Sequence, residues 1–168
     1  VFTGHIVATT FQARTVKITI NCLISDPLHI TEQMASALDL IAVQKQVSVD
    51  GQGTGPRRNM TLSEVRTPEN SDETMDIVDL FRWDAQSDVI EEQLDFMQNS
   101  RVLQEIAEAK GWEMDRVLEE IDKREEVLEY MVEHDITDND RVVATTARFY
   151  RNQARVLEQV RAGTFDPP

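Results

Sequence analysis

Near its amino-terminal end the chain carries Thr3-Gly4-His5-Ile6-Val7-Ala8-Thr9-Thr10-Phe11-Gln12-Ala13. Its short apolar run, Ile6 to Ala8, is followed by small hydroxyl residues and then by Gln12. This order is typical of a buried strand that delivers polar side chains at its carboxyl end, where ligands bind in open α/β sheets. The alternative is a core strand whose Thr9 and Thr10 hydroxyls form only local hydrogen bonds. The sequence therefore predicts a strand here and leaves both interpretations open.

The chain after this stretch is predicted to form two short helices and three antiparallel strands. Apolar residues at helical spacing indicate a helix over residues 15–24, and Thr31 is a candidate N-cap for a second, short helix. The strands are predicted over residues 39–49, 58–67 and 75–83. Three glycines lie in the loop at 50–56, but Pro56-Arg57-Arg58 follows where a phosphate-binding P-loop would have Gly-Lys-Ser/Thr. We therefore expect a hairpin loop there.

The carboxyl-terminal third is predicted to be helical. The first helix is expected from Asn99 or Ser100 to Gly111, and the second carries an apolar stripe from Met114 to Val132. A capping box at Thr137 and Asp140 predicts the start of one long helix that ends near Ala162. Two exposed i,i+4 ion pairs and a partly exposed apolar contact surface are also expected. The pairs are Glu119–Lys123 and Glu120–Arg124, and the surface consists of Val156, Leu157 and Val160.

Several segments, taken in order, resemble the archaeal branch of the type II/type IV secretion ATPases, the motors of pili, type II secretion and the archaellum. Thr3-Gly4-His5 with Thr9-Thr10-Phe11-Gln12-Ala13 is similar to the histidine box of that family. The other matching segments are Pro27-Leu28-His29-Ile30, Leu38-Asp39-Leu40-Ile41-Ala42-Val43-Gln44, Phe81-Arg82-Trp83-Asp84-Ala85-Gln86-Ser87-Asp88 and the tail from Val117 to Tyr150. No single segment is diagnostic, whereas the ordered set is fairly specific.

The resemblance implies a mixed α/β fold in two parts. Residues 1–97 would be the remainder of a RecA-like ATPase core that ends in a three-stranded antiparallel meander, and residues 98–168 would be a helical tail. It further implies ATP and Mg²⁺ as cofactors of a longer parent protein. His5 and Gln12 would be the catalytic positions, and Thr3, Gly4, His5 and Gln12 would contact the nucleotide; no metal ligand is implied within this chain.

Two residues depart from the family pattern. Gln12 stands where the family has the second histidine of the box, and Cys22 stands where it tends to have arginine. Glutamine can donate a hydrogen bond to a phosphate oxygen but cannot carry a positive charge. Because a lost arginine beside a nucleotide weakens transition-state stabilisation, the parent could be a weak or degenerate ATPase.

The resemblance also sets expectations for function and partners. The P-loop lysine and the acidic magnesium ligand of the family lie upstream of the histidine box and are missing from this chain, so we expect no ATP hydrolysis by the chain alone. The parent would be a cytoplasmic motor at the inner face of the membrane, assembled as a homo-hexamer and coupled to a membrane platform protein. The alternative is a non-catalytic coupling or oligomerisation module of a degenerate secretion ATPase.

Composition limits the class of partner. The formal net charge is −14, from 31 acidic and 17 basic residues, and such a field opposes binding to nucleic acid or anionic lipid. Four of the basic residues are lysine and 13 are arginine. Acidity with arginine favoured over lysine suggests a halophilic archaeon, because molar salt shortens the Debye length to ~3 Å and screens surface repulsion. A melting temperature that rises with KCl would test this hypothesis.

The remaining composition signals concern redox state and membranes. The single cysteine, Cys22, excludes an internal disulfide, indicates a reducing compartment and is expected to be a small buried apolar residue. No apolar run approaches the ~20 residues that a membrane-spanning helix needs, and no signal peptide pattern is present. We therefore expect a chain without a membrane span, and we expect it to be the carboxyl-terminal piece of a longer protein.

Overall fold

The computed structural model describes residues 7–47, 55–68, 75–93 and 98–166. The chain divides into two compact units, Val1–Ile106 and Ala107–Pro168, which are described separately below. The helices are α1 (Val16–Ile24), α2 (Glu32–Ala35), α3 (Arg101–Lys110), α4 (Met114–Glu133), α5 (Asn139–Arg151) and α6 (Gln153–Arg161), and the strands are β1 (Leu40–Gln46), β2 (Arg57–Arg66), β3 (Asp76–Asp84) and β4 (Val89–Glu92).

The first unit is built on an antiparallel sheet with the strand order β1-β2-β3-β4. Leu40 pairs with Glu64 at the start of β1, and Phe81 of β3 pairs with both Leu62 of β2 and Glu92 of β4. The three predicted strands are present, and the mixed α/β class with an antiparallel meander is confirmed at that level. Most of the predicted loop at 50–56 lies outside the described residues.

The fourth strand, β4, was not predicted from the sequence. All four of its residues are exposed, so it presents no buried face and no alternation of apolar and polar residues. Its position is set by the turn before it, where Asp84 Oδ1 accepts hydrogen bonds from the Ser87 N–H at 2.7 Å and the Gln86 N–H at 2.9 Å. This turn brings Val-Ile-Glu-Glu back along the edge of β3.

The prediction of a strand in the amino-terminal stretch is wrong for the residues that the structure describes there. Residues 7–13 form no strand, and Val7 and Phe11 are 62% and 45% exposed. A parallel strand is buried only when neighbouring strands and covering helices surround it. The sheet of the described residues contains only hairpin neighbours, and none of them pairs with this segment. Among the described residues, Val7 and Ala8 therefore have no neighbouring strand to pair with.

The two predicted helices after this stretch are present; the second begins at the predicted cap, Thr31, and the first is capped by Thr15. The Thr15 hydroxyl accepts a hydrogen bond from the Ile18 N–H at 3.2 Å, and the Thr31 hydroxyl accepts one from the Met34 N–H at 3.2 Å. α1 packs against α2 and β1 and buries Val16 and Ile20.

The second unit is a helical cluster in which α6 packs against both α4 and α5. Its core contains aliphatic and aromatic side chains from all three helices and the segments that flank them. These residues are Val127, Tyr130, Met131, Ile136, Phe149, Val156, Leu157, Val160 and Phe165.

The prediction of one long tail helix is wrong, because the helix is interrupted at Asn152. This residue has φ −152° and ψ 74°, and its side chain accepts a hydrogen bond from the Arg155 N–H at 3.2 Å, which makes it the N-cap of α6. The break turns α6 back onto α4. Val156, Leu157 and Val160 are consequently 2%, 6% and 8% exposed, so the predicted contact surface is core.

Two smaller corrections concern α5 and α4. The cap of α5 is Asp138, which accepts from the Asp140 and Arg141 N–H groups, and not Thr137. On α4, Leu128 and Val132 are exposed although the predicted apolar stripe included them, because the buried arc runs through Val117, Val127, Tyr130 and Met131.

Candidate functional site

The residues predicted to contact nucleotide lie at the amino-terminal end. Thr3, Gly4 and His5 are outside the described residues. Gln12 is exposed and lies in an irregular segment three residues before the Thr15 cap. Cys22 is exposed on α1, which corrects the expectation that it is buried. At helical spacing, Cys22 falls on the side of α1 away from the buried Val16 and Ile20.

The described residues do not by themselves fit a Mg²⁺–nucleotide complex. In this part of the chain no group of three or more histidine, cysteine or carboxylate side chains could hold a metal ion. Gln12 supplies an amide that could meet a phosphate oxygen, but a phosphate cradle needs several converging N–H groups and a lysine. The structure brings no second predicted site residue to Gln12 among the residues that it describes.

A buried carboxylate joins the sheet to α3. Glu64 on β2 is 0% exposed, and its Oε1 accepts a hydrogen bond from the Val102 N–H in the first turn of α3 at 2.7 Å. Its Oε2 accepts from Nη2 of Arg66 at 2.9 Å. The Ser100 hydroxyl accepts from the Leu103 N–H at 3.3 Å, which confirms the predicted cap. Two N–H groups in the first turn of α3 have no partner within the helix. Ser100 satisfies that of Leu103, and Glu64 on the sheet satisfies that of Val102.

Arg101 adds a second connection at the same place. Its Nη2 contacts Asp39 Oδ1 at 3.0 Å, just before β1, and the carbonyl of Val65 at 3.4 Å. Its Nη1 also forms an ion pair with Glu105 one turn along α3. α3 is therefore fixed to β2 by Glu64 and to the start of β1 by Arg101.

A third polar cluster closes the β3–β4 turn. Arg58 binds Asp88 with two hydrogen bonds, Nε to Oδ1 at 2.7 Å and Nη2 to Oδ2 at 2.6 Å. The indole N–H of Trp83 donates to Asp88 Oδ1 at 2.8 Å. The Arg58 guanidinium and then the Trp83 N–H lower the pKa of Asp88 from 3.8 to about 2. Asp88 thereby stays ionised and holds the turn against β2.

In the helical unit, the predicted Glu120–Arg124 pair is confirmed, and Glu120 has two further partners. Its carboxylate accepts from Lys123 Nζ at 2.8 Å, Arg124 Nη1 at 3.0 Å and Gln153 Nε2 at 3.0 Å. The predicted Glu119–Lys123 pair does not form, because Lys123 pairs with Glu120 instead, at a spacing of three residues. The hydrogen bonds from Lys123 and then Gln153 lower the pKa of Glu120 from 4.5 to about 2. Glu120 therefore links α4 to α6 and is not part of a solvated face.

Two further contacts hold the ends of the helical unit. The Tyr130 hydroxyl donates to the Phe165 carbonyl at 2.8 Å, and the two rings meet edge to face. Arg161 binds Glu126 with two hydrogen bonds of 2.8 and 2.9 Å, and this guanidinium lowers the pKa of Glu126. The last turn of α6 and the residues after it are thus fixed to α4.

The groups described above hold elements of the structure together. Each carboxylate among them is bound to an arginine, a lysine or a backbone N–H. The exposed surface of the helical unit instead carries unpaired charge. Exposed carboxylates without an ion pair in the described structure lie along α4 at Asp115, Glu119, Asp122, Glu125, Glu129 and Glu133.

Two comparisons place the chain among known proteins. Residues 92–165 match the family model described as "PilB3-like, C-terminal", so this region is similar to that family. The chain is also 27% identical over 126 residues to an uncharacterized protein of Methanocaldococcus jannaschii. That match covers 75% of this chain and 44% of the relative, so the chain spans less than half the length of this relative.

No helix in the described part of the chain has the length and apolar character required to cross a membrane.

Sequence reasoning missed the residues that join the elements. Glu64, Asp39 and Arg101 are distant in the sequence, and no spacing rule connects a carboxylate in a strand with a helix that begins 37 residues later. Asn152 did offer a signal, because asparagine is a favoured N-cap inside an otherwise helical pattern.

Proposed function

We propose that this chain is the carboxyl-terminal region of a motor ATPase for secretion or pilus assembly, and that it couples ATP hydrolysis to protein export or filament assembly. The observation that carries the proposal is the match of residues 92–165 to the PilB3-like carboxyl-terminal family. The 44% coverage of the archaeal relative also fits a region of a larger protein. On this proposal the parent acts in the cytoplasm, at the inner face of the membrane.

The nucleotide site of the parent would be completed outside the described residues. We propose that Thr3, Gly4, His5 and Gln12 contribute polar contacts near the terminal phosphate. The P-loop and the acidic magnesium ligand would come from preceding sequence. The exposed position of Gln12 supports this proposal, since a side chain that reaches a shared site must not be buried in its own unit.

The helical unit would supply the coupling function. Its carboxylates Glu120 and Glu126 fix α6 to α4, so the cluster can move as one body when the core changes state. Its partners would be sister subunits of a homo-hexamer and a membrane platform protein. The second candidate, a non-catalytic coupling or oligomerisation module, is favoured by one observation: Gln12 replaces a histidine of the family box.

Calorimetric titration of the 168-residue chain with MgATP tests the proposal that the phosphate-binding groups lie elsewhere. We expect binding weaker than ~1 mM, which corresponds to ~4 kcal/mol of binding free energy. Gln12→Ala is the matched variant and should leave the small heat of MgATP binding unchanged. Micromolar binding that Gln12→Ala abolishes would contradict the proposal, because the chain would then contain a complete site.

A further inference from the structure

α4 has a second apolar stripe beside the one that it buries in the helical core. The members of this stripe follow one another at steps of 4, 3, 4, 3 and 4 residues, and five of the six are apolar. We call them the outer stripe: Met114, Leu118, Ile121, Glu125, Leu128 and Val132. These steps are the spacing of the a and d positions of a heptad repeat, the pattern by which one helix packs along another.

The outer stripe lies on the side of α4 that faces away from the core. At 3.6 residues per turn its six members fall within a sector of about 80°, and the core residues Val127 and Tyr130 lie about 150° from the centre of that sector. Met114 is half-buried, whereas Leu128 and Val132 are 58% and 79% exposed. The carboxyl-terminal half of the stripe is therefore open to a partner.

A row of carboxylates borders the outer stripe on one side. Asp115, Asp122 and Glu129 recur every seven residues, in the e positions of the heptad, and we call them the acidic flank. All three are exposed and have no ion pair among the described residues. The g positions on the other side are Val117, Arg124 and Met131. Because charges at e and g decide which helices pair, the acidic flank selects a helix whose own flanking residues are basic.

Glu125 stands at an a position in the middle of the outer stripe. It is exposed and has no ion pair in the part of the chain that the structure describes. A single polar residue at an a position fixes the register of a helix pair at some cost in stability. A lysine or arginine at the facing position of a partner helix would offset the loss of water around this carboxylate.

These charges oppose a second copy of α4 as the partner. The helix has eight Asp or Glu and three Lys or Arg. An antiparallel pair of α4 helices would place the two acidic flanks beside each other, and a parallel pair in register would place Glu125 against Glu125. Like charges at contact distance cost several kcal/mol, so the chemistry of the stripe favours a partner of opposite charge.

We propose that the outer stripe binds a basic amphipathic helix of another protein, packed side by side with α4. The partner helix has apolar residues at its a and d positions, Lys or Arg beside the acidic flank, and one basic residue opposite Glu125. α4 has 20 residues and is ~30 Å long, which is enough for about three heptads of contact. This inference rests on the proposed coupling function, for which it names the chemistry of the partner.

Binding of a synthetic peptide to the full 168-residue chain tests the inference. The probe is a labelled helical peptide of the same length as α4, with Leu at a and d, Lys at e and g, and one Lys at the a position that faces Glu125. Fluorescence anisotropy should show saturable binding. A peptide of the same composition without heptad spacing should bind about ten-fold more weakly, and Leu128→Ser with Val132→Ser should raise the Kd of the heptad peptide about ten-fold.

A charge exchange tests the acidic flank. Asp122→Lys with Glu129→Lys should raise the Kd of the Lys peptide about ten-fold, and this variant should bind a peptide with Glu at e and g instead. The matched control is Glu119→Lys with Glu133→Lys, which changes the net charge of the same helix equally but outside the flank. Its Kd should stay within about two-fold of the wild-type value.

The register residue has a test of its own. The wild-type chain should prefer the peptide with Lys opposite Glu125 over one with Leu there, and Glu125→Leu should reverse that preference. General attraction between a basic peptide and an acidic protein would not produce this reversal. Circular dichroism checks that each variant is folded, which is expected because every substituted side chain is exposed.

Four results would overturn the proposal. The wild-type chain could show no saturable binding of the heptad peptide, the peptide without heptad spacing could bind as tightly, or the control variant could weaken binding as much as the flank variant does. The fourth is self-association of the chain through Leu128 and Val132 in sedimentation velocity, which would assign the stripe to a second copy. None of these measurements involves nucleotide, so failure here leaves the motor ATPase proposal intact.

Discussion

Replacement of the buried Glu64 carboxylate should detach α3 from the sheet. Glu64→Ala removes the acceptor of the Val102 N–H and leaves the Arg66 guanidinium without its carboxylate. Breaking a buried charge pair by removing one partner costs about 3–5 kcal/mol. Glu64→Gln keeps an oxygen for the Val102 N–H and loses only the charge, so we expect a loss of about 1–2 kcal/mol.

The assay uses the tryptophans, one of which lies in each unit. In a Trp112→Phe background, Trp83 on β3 is the remaining tryptophan and reports the unfolding of the sheet unit. With a urea slope near ~2 kcal/mol per molar, a loss of ~4 kcal/mol lowers the unfolding midpoint by ~2 M. Trp112 fluorescence in a Trp83→Phe background follows the helical unit separately.

Glu91→Ala on the exposed strand β4 is the matched control and should change stability by no more than ~0.5 kcal/mol. The urea concentration at the unfolding midpoint should be highest for the control, lower for Glu64→Gln and lowest for Glu64→Ala. If Glu64→Ala unfolds at the same urea concentration as the control, Glu64 does not anchor α3 and the reasoning is refuted.

Two further predictions concern the turn at Asp88 and the break at Asn152. The folded pKa of Asp88, about 2, lies below its ordinary 3.8, so its stabilising contribution is complete above pH ~4 and is lost as the pH falls towards 2. Asp88→Asn should make the stability of the sheet unit less dependent on pH in that window, and an unchanged slope in acid denaturation would contradict this. Asn152→Ala should lower the stability of the helical unit by about 1 kcal/mol through loss of the α6 cap, measured by thermal circular dichroism. An equal or higher melting temperature would mean that core packing alone imposes the break.

Local signals in the sequence were sufficient where one short segment determines the structure. Thr31 was predicted as a cap, and Asn99 or Ser100 as another, because a polar side chain before an apolar helical pattern satisfies an N–H of the first turn. Strands joined by short hairpins were also predictable, since alternation and turn residues lie in the same window.

Features that depend on distant contacts were not predictable in this way. β4 has no buried face, and its pairing is decided by the Asp84 turn and by the edge of β3. The apolar spacing of Val156, Leu157 and Val160 was recognised, but their burial depends on the direction that α6 takes after Asn152. For the predicted nucleotide contacts, only Gln12 lies within the described residues, and its role stays a prediction.

The most direct test of the motor ATPase proposal is the sequence of the native polypeptide that contains this chain. The protein can be isolated from its native cells with an antibody against the helical unit and sequenced by mass spectrometry. The proposal predicts a longer polypeptide with a Gly-Lys-Ser/Thr P-loop and an acidic magnesium ligand before the Thr3–Gln12 stretch. A native polypeptide that lacks such a P-loop would contradict the proposal and would favour the non-catalytic coupling module.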